Sequence, residues 1–336
     1  MMSGSDMQID RAEAVLYGLA IGDALGMPSQ TLSRDVIRAR YGKIEGFVDP
    51  FDGHPISHGL TAAQVTDDTE QALLLAQRLL TDPDGFDDAA WARDLLEWEA
   101  RIRAIGLRDL LGPSTKSALD ALLSGTPPEV TGQNGTTNGA AMRIAPLGIM
   151  TPPDPARIAR RVAQTCRVTH NTGEAIAAAA AVAMVVSAGV GGASLDESLP
   201  LALDAARLGQ AMGNPVGAGD MADRIGNALT VAKTDSLEQV ISATGTSVKS
   251  HESVAAAFGL LALAKGDGWQ AMLMAANIGD DTDTIGAMAG AMAGACSGMA
   301  GLPQDAIRRV EDANDLNIPP LARRLVVQRQ LASEPG

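Results

Sequence analysis

At 336 residues, with 46% hydrophobic and 20% charged side chains, the chain has globular composition and the length for one large domain or two ordinary ones. A formal net charge of −14 argues against a phosphate-backbone partner such as DNA, and 3% aromatic content argues against a base-stacking platform. A small anionic ligand, held by metal ions or helix N-termini, stays compatible with that charge.

Taken in chain order, the predicted elements are helices. The stretch "RAEAVLYGLAIGDALG" places Ala14, Leu16, Tyr17, Leu19 and Ala20 near i, i+3, i+4 spacing and ends at Gly22 or Gly26. Residues 27–69 form the longest poorly periodic region, with one short helix predicted over 33–40. Helices follow over 69–81, 86–106 and 114–125, then a Gly/Asn/Thr loop over 126–143. The helical pattern resumes over 155–166, 173–188, 195–211, 219–232, 235–243, 250–264, 268–276 and 283–299. No run of alternating β-branched residues supports a sheet. No linker, composition break or fixed-period repeat divides the chain. The expectation is an all-α, single-domain fold over 1–336, with its core over about 10–330 and with the first few and last six residues frayed.

Cys166 and Cys296 form neither a CxxC nor a zinc spacing, so they read as small core residues of a reduced, cytoplasmic protein. The N-terminal stretch shows no basic region followed by an apolar one, so no secretory signal is expected. Residues 175–193 and 285–303 are uncharged and nearly long enough to span a bilayer. They are rich in Ala and Gly, lack aromatic belts and follow acidic residues. Buried helices of a protein with no membrane partner are the expectation.

The unusual chemistry sits in two acidic clusters, "QVTDDTEQALLLAQRLL" (64–80) and "ANIGDDTDTIGAMAGAMAGA" (275–294). Thr and Asp cap helices well, so "TDDTE" has a plain reading as a helix start, with Asp67 and Glu70 as a capping-box-like pair. Capping does not need three aspartates in five positions, because adjacent anions repel unless a cation neutralises them. Carboxylates and Thr hydroxyls with no His or Cys nearby specify Mg2+, Mn2+ or Ca2+. Asp281, Asp283 and Thr284 converge from one turn, and two such turns meeting in space would make a binuclear site. Gly286, Ala289, Gly290, Ala293 and Gly294 would let the two helix starts lie side by side.

The segments "GLAIGDALGMP" (18–28), "TDDT" (66–69), "NGAAMRIAPLG" (138–148), "VTHNTGEAIAAAAAVA" (168–183) and "GDDTDTIGAMAGAMAGA" (279–295), in this order, resemble the ADP-ribosylglycohydrolase family. That family includes the dinitrogenase reductase-activating glycohydrolase and the J1 crystallins. The resemblance implies an orthogonal helical bundle with a binuclear Mg2+ or Mn2+ centre. It places the metal motifs on Thr66, Asp67 and Asp68 and on Asp281, Asp283 and Thr284, and the substrate loop on Asn138, Gly139 and Arg143. It implies cleavage at the anomeric carbon of a ribose in an ADP-ribosyl adduct, where a ring of carboxylates suits an oxocarbenium-like transition state. Asp67, Asp68 and Asp283 are the expected catalytic groups. The family pattern has a Glu eight residues after its first glycine, where this chain has Gln30, which carries no charge and exchanges no proton at neutral pH.

Three further side chains carry two readings each. His170 is a hydrogen-bonded cap or a substrate contact. Arg143 anchors a phosphate or ties its loop to a helix C-terminus. Gln30 reads a sugar hydroxyl or a nucleobase. His54 and His58 are expected as ordinary loop residues. The alternatives to ADP-ribosyl hydrolysis are hydrolysis of a smaller N-ribosyl compound such as a nucleoside, a non-catalytic crystallin-like or ligand-binding protein, and a Mg2+-dependent phosphohydrolase.

Overall fold

The computed structural model describes residues 4–104, 112–217 and 219–333. Seventeen α-helices follow one another: α1 Gly4–Gly26, α2 Arg34–Tyr41, α3 Asp67–Thr81, α4 Asp88–Ala104, α5 Pro113–Leu123, α6 Gly139–Met142, α7 Ala145–Met150, α8 Pro155–Cys166, α9 Gly173–Val190, α10 Leu195–Gln210, α11 Met221–Ala232, α12 Leu237–Thr244, α13 Ser250–Leu263, α14 Gly268–Ala275, α15 Thr282–Ser297, α16 Gln304–Ala313 and α17 Ile318–Leu331. Among the described residues there is no strand, only isolated bridges between Thr137 and Lys249 and between Thr172 and Asn214. The fold is all-α. The ends expected to fray fall partly outside the described residues, as do 105–106 of the helix expected over 86–106; within them, α1 already begins at Gly4 and α17 reaches Leu331.

Local chemistry sets most boundaries. Ser33 caps α2 through the Val36 amide, Asp154 caps α8 ahead of Pro155, and Ser194 with Glu197 closes a capping box on α10. Four helices lie outside the predicted set. α6 falls inside the expected loop, and α7 is too short to show a period. α16 is amphipathic, and α17 opens on Pro319 and Pro320, which the first turn tolerates because its amides have no intrahelical partner.

The centre of the molecule is the antiparallel pair α1 and α15, with α9 packed against α15. Glycines make the pair possible. A Cβ on Gly18 would overlap the Gly290 carbonyl, one on Gly22 the Gly286 carbonyl, and one on Gly26 the backbone of Asp283. The small face of α15 therefore seats α1, not α3 as the sequence suggested. The C-terminus of α1 arrives beside the N-terminus of α15, and Thr282 Oγ1 locks the junction by donating to the Gly26 carbonyl at 2.9 Å. Helix α9 is the one described helix long and apolar enough to cross a membrane, and all of it is buried inside the protein. Cys166 is buried and Cys296 half-buried, both as free thiols.

Candidate active site

The acidic site forms where three helix ends meet. Asp23, in the last turns of α1, is completely buried. Its Oδ1 accepts from Thr66 Oγ1 at 2.8 Å, while Oδ2 accepts from Thr66 N at 2.9 Å, Thr69 N at 3.1 Å and Thr69 Oγ1 at 2.6 Å. Thr66, the N-cap residue of α3, makes no side-chain cap bond of its own. A carboxylate from another helix thus does the capping, satisfying amides that a helix start leaves without partners. Asp67 and Asp68 are freed from that task and face a cavity.

The cavity, of about 240 Å3, is lined by Asp67 and Asp68 of α3, Asp281, Asp283 and Thr284 at the start of α15, and Asn138 and Gly139 at the start of α6. Gln30 and Thr31 line it from the segment after α1, with Ile56, Gly112 and Pro113 also on its wall. The loop carrying Asp281 is pinned by paired backbone bonds: Thr31 N donates to Asp280 O at 2.6 Å and Asp280 N to Leu32 O at 2.9 Å. Asn138 Nδ2 donates to Asp281 Oδ2 and, at 2.8 Å, to Ser253 Oγ.

Burial and mutual repulsion dominate the electrostatics. Asp67, Asp68 and Asp283 are pushed well above the usual carboxylate range by burial first and by neighbouring carboxylates second. Burial raises Asp23 to about 6 against the hydrogen bonds from Thr66 and Thr69, and raises Asp281 to about 6 against those from Asn138 and Thr284. Among the described residues, buried Asp68 Oδ1 has no hydrogen-bond partner. An orphaned carboxylate oxygen among like charges is costly unless a cation meets it. The all-oxygen donor set fits Mg2+, Mn2+ or Ca2+ and not zinc.

Asp23, Asp68 and Asp283 each place an oxygen within 4.8 Å of the others. Asp23 nevertheless differs from its neighbours, because both of its oxygens are already engaged by Thr66 and Thr69. It ties α1 to the start of α3 beside the cavity and is the site residue that sequence reasoning missed. Its signal was visible: a lone Asp inside the apolar helix "GLAIGDALG".

Of the residues picked out in the sequence, Gln30, Asp67, Asp68, Asn138, Gly139, Asp281, Asp283 and Thr284 share the cavity wall. Thr66 sits one layer behind, its hydroxyl between Asp23 and Asp68. Arg143 and His170 are not on the wall. Arg143 is 1% exposed, donates to Gln71 Oε1 at 2.8 Å and Thr169 Oγ1 at 2.6 Å, and lies over the Trp91 ring. His170 is fully buried between Thr169 and Thr137, and burial with the nearby Arg143 charge holds its pKa well below the ordinary value. His54 is a buried loop residue whose Nδ1 accepts from the Ile56 and Ser57 amides, and His58 is exposed.

Gln30 has a fixed orientation. Ser57 Oγ donates its one proton to the Met27 carbonyl at 2.7 Å, so it can only accept from Gln30 Nε2, at 3.1 Å. The Gln30 carbonyl oxygen is left without a bond to Ser57 and available to the cavity.

The all-α fold gathers carboxylates from three helix ends around a cavity of about 240 Å3, a carboxylate-rich site with an all-oxygen donor set. The sequence profile of the ADP-ribosylglycohydrolase family matches residues 4–335. The YegU protein of Escherichia coli (strain K12) is 34% identical over 96% of this chain and 98% of its own length. The ADP-ribosylarginine hydrolase Tri1 of Pseudomonas putida (strain GB-1) is 28% identical over 91% of this chain and 75% of its own. A solved ADP-ribosylglycohydrolase-related protein complex superposes with a TM-score of 0.72 at 26% identity, covering 96% of this chain and 99% of that one. The chain belongs to the ADP-ribosylglycohydrolase family, a family of enzymes that hydrolyse glycosidic bonds.

Proposed function

We propose that this protein hydrolyses the bond at the anomeric carbon of a ribose in an ADP-ribosyl adduct, using two divalent cations, Mg2+ or Mn2+. The observation that carries this reading is the unpartnered, buried Asp68 oxygen facing a cavity shared with Asp67, Asp281 and Asp283. Those four carboxylates, with Thr284 beside them and Thr66 behind Asp68, are the residues that would hold the cations. When bound, the cations orient ribose hydroxyls and lower the pKa of a water molecule. The chain's own residues supply the rest. Asp67, Asp68 and Asp283 surround the anomeric carbon with negative potential, which favours the positive charge of an oxocarbenium-like transition state. Gln30 offers a carbonyl oxygen to a sugar hydroxyl, Asn138 fixes Asp281, and Gly139 on the cavity wall leaves room for the His170 ring behind it. The whole chain acts as one cytoplasmic domain in this reading.

A second reading, hydrolysis of a smaller N-ribosyl compound such as a nucleoside, is favoured by one feature. The cavity of about 240 Å3 lies below the roughly 300–1,000 Å3 of pockets for drug-sized ligands. The test is incubation with ADP-ribosyl-arginine, ADP-ribosyl-serine and simple nucleosides, with each metal, followed by mass spectrometry. Release of free ADP-ribose supports the first reading. Release of free ribose from nucleosides alone transfers the conclusion to the second, and turnover of none of them refutes both.

A further inference from the structure

We infer that a buried hydrogen-bond relay, Asp67–Gln71–Arg143–Thr169–His170–Thr137, donated outward in both directions from Arg143, fixes both sides of the acidic cavity, so that Arg143 and His170 are positioning residues and not contacts of the substrate. The inference rests on the reading of that cavity as the metal and ribose site. Between its two ends, Asp67 at 7% and Thr137 at 8% exposure, the relay is sealed from solvent: Gln71, Thr169 and His170 are 0% exposed and Arg143 is 1%.

The relay assigns the tautomer of His170, and chemistry fixes the direction of the links that start at Arg143, which can only donate. Its Nη1 donates to Gln71 Oε1 at 2.8 Å, which forces the Gln71 amide nitrogen toward Asp67, where it donates to Oδ2 at 3.0 Å. Its Nη2 donates to Thr169 Oγ1 at 2.6 Å, and the relay sends the Thr169 proton on to His170 Nδ1 at 2.8 Å. A ring that accepts at Nδ1 carries its proton on Nε2, and it gives that proton to Thr137 Oγ1 at 3.0 Å. One end of the relay, Asp67, lies in the cluster, and the other is its chain neighbour, the residue preceding Asn138, whose amide holds Asp281.

The relay explains why a cation is buried behind a group of anions. Arg143 is separated from Asp67 by a single amide, which keeps the carboxylate oriented while its repelling neighbours would turn it away. It also explains the glycine at 139, where a Cβ would come 2.9 Å from His170 Cε1. A phosphate cannot reach the Arg143 guanidinium without opening the core.

Two measurements test this. Long-range 1H–15N NMR of the histidine-labelled wild type should show His170 neutral, with its proton on Nε2, from pH 5 to 8. A proton on Nδ1, or a doubly protonated ring, overturns the relay. Calorimetric titration with Mn2+ should show at least about tenfold weaker binding in Gln71→Leu than in wild type, the side chain keeping its size while both of its links are lost. A folded Gln71→Leu that binds Mn2+ like wild type overturns the positioning role, and if the variant does not fold, the tautomer of the wild type decides. Wild type that binds no Mn2+ refutes the metal reading, while the tautomer still decides the relay.

Discussion

Replacing Asp23 with Asn separates a capping role from a metal-ligand role. The substitution keeps the shape and one acceptor oxygen, but turns an NH2 toward donors on Thr66 or Thr69. With the NH2 in the Oδ2 position, Thr69 N and Thr69 Oγ1 lose their acceptor, at about 1–3 kcal/mol each, while Thr66 keeps both of its bonds to Oδ1. Part of this is offset, because Asp23 is one of the charges that push Asp67, Asp68 and Asp283 upward. The net expectation is about 2–4 kcal/mol of lost stability. For a chain this long that corresponds to roughly 3–6 °C in Tm, from about 2 cal/mol/K of unfolding entropy per residue. Mn2+ binding should weaken by about tenfold, 1.4 kcal/mol, without disappearing, because α3 loses its cap while the cavity-facing carboxylates remain. The assays are thermal unfolding of the metal-free protein and calorimetry with Mn2+. Unchanged Tm together with abolished Mn2+ binding would refute the reasoning and make Asp23 a direct ligand.

The remaining predictions concern the same carboxylates. Asp283→Asn should leave the metal-free protein as stable as wild type or slightly more so, by relief of repulsion, while turnover falls by orders of magnitude; unchanged turnover at saturating Mg2+ and Mn2+ removes Asp283 from catalysis. The raised pKa values of Asp23, Asp67, Asp68, Asp281 and Asp283 mean that the metal-free fold binds more protons than the unfolded chain. Their contribution to its stability is therefore fully present below about pH 4 and is lost as pH rises through about 6, where Asp23 and Asp281 titrate. Bound metal needs the deprotonated forms, so the gain in Tm on adding Mn2+ should grow between pH 5 and 7.5, and a flat difference counts against the site. Gln30→Glu should tighten Mn2+ binding but lower turnover of the natural substrate, since it removes the Ser57 tether and adds a charge beside other anions. Faster turnover would show that Gln30 does not read the substrate.

Helical pattern and small-residue spacing made the all-α fold legible, and the two Asp/Thr clusters stood out because capping alone does not need them. Their partners did not stand out. Gly286 and Gly290 announced a close helix contact, yet only the structure shows that Gly22 and Gly18 supply the other side. Asp23 escaped notice because its donors lie 43 and 46 residues away, a distance no local pattern encodes. Arg143 and His170 look the same in sequence whether they touch a phosphate or each other's neighbours, since hydrogen-bond direction is a property of the packed core. Helix α16 was readable from the amphipathic "QDAIRRVEDA", whereas the prolines that open α17 resemble a break.

The central claim, that the acidic cavity is a two-cation centre, is tested most directly by diffraction from Mn2+-soaked crystals at the manganese absorption edge. Two anomalous peaks about 3.5–4 Å apart, among Asp67, Asp68, Asp281, Asp283 and Thr284, are the predicted result. No peak in the cavity at millimolar Mn2+, or peaks only at the protein surface, would contradict it.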